Sequence, residues 1–229
     1  MTVLPRSWDS TFFGVRVAEA QVHDDALDQA LEDAARSEVE CLYLFVNAAD
    51  LMTIETAVRR GGRLVDLRVE LAGRIEIDPG NGPPSTRRAT QNDREALLPQ
   101  ARELAAESRF WRDPRIPNQK VQEMYDIWLD RCLDEGVVTV PETRGTGFVG
   151  ARKDRDSASI DLVYVDAASR GQGLGRALIR DAVAALGASD VSVVTQSGNV
   201  AAQRLYQSLG LRSRRAIAVL HLWLDDLHR

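Results

Sequence analysis

Cysteine and histidine are scarce in this chain of 229 residues, which has 2 cysteines and 3 histidines. Cys41 lies in an apolar run, Cys132 lies on a predicted helix, and the sequence contains no C-x-x-C pair. The histidines have no metal-like spacing with each other or with cysteine. We therefore expect buried free thiols in a reducing compartment and no metal site.

Long apolar runs and dense basic blocks are also lacking. No apolar run approaches the length of a membrane span, and the segment 1–6 lacks the apolar core of a signal peptide, so we expect a cytoplasmic protein without a membrane partner. A net charge of −5 gives no support to nucleic-acid binding. The composition that remains, 44% hydrophobic and 28% charged, is that of a globular chain with one large domain or two small ones.

The chain is organised around the sequence R-G-Q-G-L-G-R from Arg170 to Arg176. It follows the apolar run Ile160–Val165 and precedes apolar residues at helical spacing, which predicts a strand, a loop and a helix start. Glycines allow the backbone to approach a ligand closely, and free N–H groups at a helix N-terminus point at an anion. A diphosphate is therefore the expected ligand. The spacing fits neither the dinucleotide-binding G-x-G-x-x-G nor the P-loop pattern.

A second segment follows after one helix and one strand, the strand being Val191–Thr195. From Asn199 to Gly210 the sequence reads N-x-x-A-x-x-L-Y-x-x-L-G, with Asn199 as a helix cap and Gly210 suited to the helix C-terminus. Together with R-x-x-G-x-G directly after a strand, this segment resembles the two acyl-CoA-binding segments of the GNAT superfamily of N-acyltransferases. Taken alone, Tyr206 would be interpreted as a core tyrosine with a polar tip.

The resemblance implies an α/β fold (an α+β mixed sheet) of the GNAT acyl-CoA N-acyltransferase type, with acetyl-CoA as co-substrate. It implies that Tyr206 protonates the departing thiolate, and that a backbone N–H at Val163 or its neighbour, where the strand splays, stabilises the oxyanion. It also implies that Val165 hydrogen-bonds the pantetheine arm. The remaining cofactor contacts are expected from Arg170, Gly171, Gln172, Gly173, Leu174, Gly175, Arg176 and Asn199.

The segment Asp78–Ser85, rich in Pro and Gly, is a predicted linker. It divides the chain into an N-terminal GNAT-like degenerate domain (1–78), a linker (79–86) and a catalytic GNAT domain that binds acetyl-CoA (87–229). In the first half we expect helices at 24–36, capped by Asp24 or Asp25, and at 51–60, and strands at 15–20, 41–46 and 64–71. In the second half, Met124, Ile127, Trp128 and Leu129 give a helix an apolar stripe, and 216–224 closes the sheet.

The first half contains W-D-S-x-F-F-G and G-G-R-L-V-D-L, and S-R-F and D-P-x-I-P follow downstream. These motifs resemble the dTDP-fucosamine (dTDP-4-amino-4,6-dideoxygalactose) acetyltransferase type, in which a cofactor-free GNAT-like half packs on the catalytic half. The resemblance implies a small-molecule amine acceptor, an amino-dideoxy sugar on a nucleotide. Alternatives are another small amine such as an aminoglycoside, a protein, or a non-catalytic acyl-CoA-binding module.

The sequence leaves two roles open for several charged and aromatic side chains. Arg109 and Arg112 are candidates for clamping an anionic acceptor, or for structural ion pairs. Glu70 is a candidate substrate residue; Glu70, Asp66 or a water relay would serve as general base. The aromatic residues of W-D-S-x-F-F-G stack on a nucleotide base or, by preference, pack in the core or at a domain interface. A homodimer through exposed sheet edges is a further expectation.

Overall fold

The computed structural model describes residues 3–23, 26–76, 85–142 and 147–224. The predicted linker 78–85, apart from Ser85, and the helix caps Asp24 and Asp25 lie outside the described residues. The described helices are α1 (Ser7–Phe13), α2 (Ala26–Arg36), α3 (Leu51–Arg59), α4 (Arg94–Ala105), α5 (Asn118–Glu135), α6 (Leu174–Ala185) and α7 (Val200–Ser208). The strands are β1 (Leu4–Pro5), β2 (Val17–Val22), β3 (Cys41–Asn47), β4 (Arg63–Arg74), β5 (Thr86–Arg88), β6 (Val137–Pro141), β7 (Gly147–Asp154), β8 (Ser157–Val165), β9 (Asp190–Gln196) and β10 (Arg212–Trp223).

The strands form one 10-stranded mixed sheet in the order β1-β2-β3-β10-β4-β9-β8-β7-β6-β5. The pairs β2/β3 and β8/β9 are parallel and the other neighbours are antiparallel. The predicted mixed α/β sheet is therefore confirmed. Since β1 and β5 form its two ends, pairing of copies through an edge stays a prediction.

The sequence predicted that 216–224 closes the sheet, and the structure places this strand inside the sheet. β10 lies between β3 and β4, so it pairs on both sides with strands that precede residue 75. From Ile217 to Leu222 every residue of β10 is buried, which is typical of a central strand covered on both faces. The first and second parts of the chain thus share one sheet.

Helices cover both faces of this sheet. On one face, α4 and α5 pack with alternate residues of β3 and β8, such as Tyr43, Leu162 and Tyr164. On the other face, α6 and α7 pack on β8 and β9, and α2 and α3 pack on β2, β3 and β10. On α5 the buried positions include Met124 and Leu129, but Ile127 is 39% exposed and was wrongly placed in the stripe. Cys41 and Cys132 are buried, as expected.

The aromatic segment near the N-terminus forms helix α1, which the sequence did not predict. Gly14 ends it with a left-handed backbone (φ 73°) and donates its N–H to the Ser10 carbonyl at 2.9 Å. Phe13 packs against Phe110 with ring centroids 5.7 Å apart, next to the core under α4 and α5. Phe12 and Phe13 thus pack against the core, the preferred role, whereas Trp8 is 44% exposed.

Candidate functional site

A gap opens in the sheet where β8 and β9 diverge. The two parallel strands pair only from Ser157/Asp190 to Ile160/Val193. Beyond Ile160, β8 continues along β7 to Val165, while β9 continues along β4 to Gln196. The register of β8 against β7 shifts between Ile160 and Leu162, which leaves Asp161 as an extra residue at a bulge. The strand thus splays immediately before Val163, as the resemblance implied.

The gap leads into a cleft of about 1180 Å³. One wall is Val163–Val165 of β8, and the opposite wall is the segment 64–67 of β4, beyond its pairing with β9. The glycine-rich loop, Asn199 and the N-terminal part of α7 complete the cleft, and Glu103 and Arg112 lie at its other side. The splayed strand, the loop and α7 therefore enclose one space.

The loop presents a run of free backbone donors. For the N–H groups from Gly171 to Arg176 no acceptor exists among the described residues, whereas the Ala177 N–H donates to the Gly173 carbonyl at 3.1 Å. Hydrogen bonds to a charged acceptor contribute roughly 1.5–3 kcal/mol each, more than the attraction of the helix dipole. The loop is therefore built for an anion with several oxygens.

The three glycines of the loop are required for two different physical reasons. Gly171 and Gly173 have left-handed backbones (φ 76° and 82°), and a Cβ at either would meet nothing within 4 Å. Gly175 is helical, and its Cβ would lie 3.1 Å from Leu205 Cδ2 on α7, so it allows α6 and α7 to approach closely. Conformation requires the first two, and helix packing requires the third.

We expect Gly173→Ala to weaken binding of acetyl-CoA. Gly187→Ala is a matched control because Gly187 also has a positive φ (63°) and a Cβ there would meet nothing within 4 Å, yet Gly187 does not line the cleft. Both substitutions should lower the free energy of unfolding by about 1 kcal/mol, the cost of a left-handed Ala. Calorimetric titration with acetyl-CoA should show weaker binding for Gly173→Ala alone; equal binding by both variants would contradict the role of the loop.

Most of the predicted cofactor residues line the cleft. Gln172 does not, because its side-chain amide turns back and donates to the Ala168 carbonyl at 2.9 Å. Arg170 Nε donates to the Val165 carbonyl at 3.0 Å, so the backbone of Val165 faces the loop. Since alternate residues of a strand present their backbone groups to the same side, that of Val163 faces the cleft as well. Asn199 caps α7 by accepting from the Ala202 N–H at 3.0 Å.

Tyr206 lies behind the cleft wall rather than in it. Ala202 and Leu205 of the same helix line the cleft, but Tyr206 is only 4% exposed and packs in the core under α6 and α7. Burial raises the pKa of Tyr206. The phenol is therefore neutral at physiological pH, as a proton donor must be, although its hydroxyl is not part of the open surface of the cleft.

A second, smaller cavity of about 330 Å³ adjoins the cleft. Asp66 and Gln196 line both spaces, so they lie at the boundary between them. Aromatic side chains of the loop after α4 and of α5 form part of the wall, among them Phe110 and Trp128. Arginines form another part: Arg68, Arg109, Arg131 and Arg152.

The four charged residues that the sequence offered as substrate contacts or general base lie in different places. Asp66 is 8% exposed, and Arg112 Nη1 lies 3.4 Å from its Oδ1 in the cleft. Burial raises the pKa of Asp66, against the opposing effect of Arg112. Glu70 lines neither cavity; Arg68 and Arg215 form ion pairs with it. Arg109 and Arg112 line different cavities, so the structure does not form the joint clamp that the sequence suggested.

A buried chain of hydrogen bonds supports Arg109. Asp113 Oδ2 lies 2.7 Å from His221 Nδ1, and His221 Nε2 lies 3.1 Å from Arg109 Nη1. Because a carboxylate only accepts and a guanidinium only donates, Nδ1 carries the proton and Nε2 accepts. Asp113 also accepts from Trp223 Nε1 at 3.0 Å. Sequence reasoning missed this chain, since His221 lies more than a hundred positions from Arg109 and Asp113 along the sequence and only the placement of β10 brings it to them.

Protonation of His221 should destabilise the fold in mild acid. Burial lowers the pKa of His221 from 6.5 to about 4, and Arg109 adds to the effect. The unfolded chain therefore binds this proton more readily, so stability is complete above pH 6.5 and falls between pH 6.5 and about 4, by roughly 3 kcal/mol. Chemical denaturation across this range tests it. His221→Gln should flatten the pH dependence, and an unchanged slope in that variant would contradict the assignment.

The described residues contain neither a metal-like cluster nor a helix able to span a membrane. No group of three or more His, Cys, Asp or Glu side chains there is arranged to hold a metal ion. Within the same residues, no helix has the length and apolar character needed to cross a membrane.

Comparison with known proteins agrees with this geometry. The sequence model of the Acetyltransferase (GNAT) family matches residues 98–211. The spore coat polysaccharide biosynthesis protein SpsD of Bacillus subtilis (strain 168) is 25% identical over 149 residues, which are 62% of this chain and 50% of SpsD. The chain thus spans about half the length of that curated relative.

Solved structures share the fold. A GCN5-related N-acetyltransferase from Sphaerobacter thermophilus has a TM-score of 0.59 at 16% identity, covering 97% of this chain and 75% of that one. A tandem GNAT protein from the clavulanic acid biosynthesis pathway has a TM-score of 0.54 at 14% identity, covering 92% and 76%. These likenesses confirm the predicted GNAT fold and fit its extended, two-part arrangement. Residues 98–211 thus match the GNAT acetyltransferase family, and the fold of the described chain is of the GNAT type.

Proposed function

We propose that this protein is an acetyl-CoA-dependent N-acetyltransferase that acts on the primary amine of a small molecule. The observation that carries the proposal is the cleft at the splay of β8 and β9, with the free N–H groups of 171–176 at one end. The diphosphate of acetyl-CoA binds these donors. The pantetheine arm runs along Val165 in the manner of an added strand, which places the thioester in the gap.

In the proposed reaction, the amine attacks the thioester carbonyl, and the backbone N–H at Val163 or its neighbour stabilises the oxyanion. Support for this role is the splay just before Val163 and the orientation of the backbone at Val165. The tetrahedral intermediate then collapses to the amide and expels the thiolate of CoA. Tyr206 donates a proton to that thiolate; its place on α7, whose Ala202 and Leu205 line the cleft, supports the assignment.

Asp66 is the proposed general base. It lies at the boundary of the two cavities, and its burial makes the carboxylate a better proton acceptor than a solvated aspartate. Glu70 is not proposed, because it lines neither cavity and is paired with two arginines. The neutral amine that attacks must lose a proton during the reaction, and Asp66 is placed to take it.

For the acceptor, we propose an amino-dideoxy sugar linked to a nucleotide, as in the dTDP-fucosamine type. The similarity to SpsD, which is named for spore coat polysaccharide biosynthesis, supports a sugar. We also propose that residues 1–78 form a GNAT-like half without cofactor and residues 87–229 the catalytic half, with 79–86 as linker; the tandem GNAT neighbour supports two such halves. β10 then belongs to the catalytic half by sequence while pairing with strands of the other.

Release of CoA from acetyl-CoA tests the proposed function. The acceptors are nucleotide-linked amino sugars, free amino sugars, an aminoglycoside and a peptide, with a reaction lacking acceptor as control. Turnover with nucleotide-linked amino sugars alone is the expected result. Turnover with the peptide alone would contradict a small-molecule acceptor, and tight binding of acetyl-CoA without turnover of any amine would favour a non-catalytic acyl-CoA-binding module.

A further inference from the structure

The arginines of the second cavity differ in how their charge is compensated. Arg68 pairs with Glu70, Arg131 with Glu135, and Arg152 with Asp161. Arg109 lines the same cavity, but among the described residues no carboxylate forms an ion pair with it. Its polar partner there is His221, which is 0% exposed and neutral because of its burial. The cavity therefore contains one guanidinium with no ion-pair partner among the described residues, and the buried carboxylates of Asp9 and Asp66 act on it only from a longer distance.

The surroundings of Arg109 hold this charge in place without neutralising it. Its guanidinium carbon lies 4.2 Å from the ring centroid of Tyr43 and 4.3 Å from that of Phe110, so aromatic faces support it. The nearest acid in the hydrogen-bonded chain, Asp113, is separated from it by the His221 ring. Asp113 fixes the tautomer in which Nε2 accepts from Arg109, which orients the guanidinium and leaves its other donors for a ligand.

A second feature of the cavity also lacks a partner. The Nε of Arg68, whose side chain lines the cavity, is buried and has no acceptor among the described residues. A buried N–H without an acceptor is costly, so a bound acceptor group would be stabilising. Two guanidinium groups of one small cavity thus have donors to offer to an anionic oxygen.

We propose that the second cavity binds the acceptor, and that Arg109, oriented by His221 and Asp113, receives an anionic oxygen group carried by it. The group is a carboxylate or a phosphate, since both match the bidentate geometry of arginine. Phe110 and Trp128 pack against the ring of the acceptor, and its amine points toward Asp66 at the boundary with the cleft. That the anion belongs to an acetyl acceptor rests on the function proposed above; the anion site itself rests on the cavity.

Nitrogen NMR of the histidine rings tests the anion site directly. The chain has only 3 histidines, so His221 is assigned by comparison with His221→Gln. The protein is first saturated with CoA, which fills the diphosphate site on the loop, and is then titrated with inorganic phosphate or with acetate. Potassium chloride at equal ionic strength is the control for screening. Calorimetry of the CoA step reports separately on the proposed function.

A saturable shift of the His221 Nε2 resonance, beyond that caused by chloride and without a matching shift of His23, is the expected result. Tighter binding of phosphate identifies the group as a phosphate, and tighter binding of acetate identifies it as a carboxylate. Arg109→Met should abolish the saturable shift, whereas Arg131→Met, which removes a more exposed arginine of the same cavity, should retain it.

Two results would overturn the inference. One is the absence of a saturable shift with either anion in the CoA-saturated wild-type protein, a result that needs no variant to fold. The other is a saturable shift that persists in folded Arg109→Met. Failure to bind CoA would instead count against the proposed function, and the anion titration of the unliganded protein would still decide on the Arg109 site by the same His221 resonance.

Discussion

Replacing Tyr206 by phenylalanine is expected to lower kcat on the order of 100-fold, the usual contribution of a general acid. The substitution removes one hydroxyl and keeps the ring that packs under α6 and α7. The free energy of unfolding should therefore change by no more than about 1 kcal/mol. Steady-state CoA release together with chemical denaturation measures both effects.

Tyr164→Phe is the matched control for this prediction. Its hydroxyl donates to Glu103 at 2.8 Å, and both residues line the same cleft. This variant should lose little activity, because the hydroxyl lies on the wall formed with α4 rather than beside α7. A Tyr206→Phe enzyme with wild-type kcat would show that Tyr206 is a core residue only, the role that its helical spacing alone suggests.

Asp66→Asn is expected to lower kcat/KM on the order of 100-fold at neutral pH, because the amide cannot accept the proton of the amine. Burial raises the pKa of Asp66, and a base works only when deprotonated. The wild-type kcat/KM should therefore decline as the pH falls through that raised pKa. The acidic limb should disappear from the profile of Asp66→Asn.

Glu107→Gln separates this role from a general effect of charge. Glu107 also lines the cleft and lies 3.9 Å from Arg112, but its side chain is 75% exposed whereas that of Asp66 is 8% exposed. Its loss should leave kcat/KM and the acidic limb almost unchanged. If Asp66→Asn retained both, proton removal through water would replace Asp66 in the mechanism.

The parts of the site that could be predicted are those encoded by local sequence. The positive φ angles of Gly171 and Gly173, the cap formed by Asn199 and the αL backbone of Gly210 (φ 95°) all depend on residue types that few other side chains replace. Because these features occur in a fixed order along the chain, the family resemblance identified the cleft before the fold was known. The splay before Val163 followed from the same resemblance.

What the sequence did not reveal depends on pairing between distant segments. The apolar run of β10 has the pattern of a central strand, but nothing in it specifies β3 and β4 as neighbours. The chain Asp113–His221–Arg109 and the second cavity exist only because of that placement. Glu70 and Ile127 were misjudged for a related reason. Arg215, which pairs with Glu70, lies on β10, and the exposure of Ile127 depends on which other elements cover α5.

A crystal structure with CoA would show directly how the loop and the gap in the sheet hold the co-substrate. Oxygens of the diphosphate are expected to accept hydrogen bonds, at about 2.7–3.2 Å, from the N–H groups of 171–176, and the pantetheine arm is expected to pass along Val165. The thiol should then lie in the gap between β8 and β9, within reach of the Tyr206 hydroxyl. A CoA molecule bound elsewhere, or with its diphosphate away from the loop, would contradict the account.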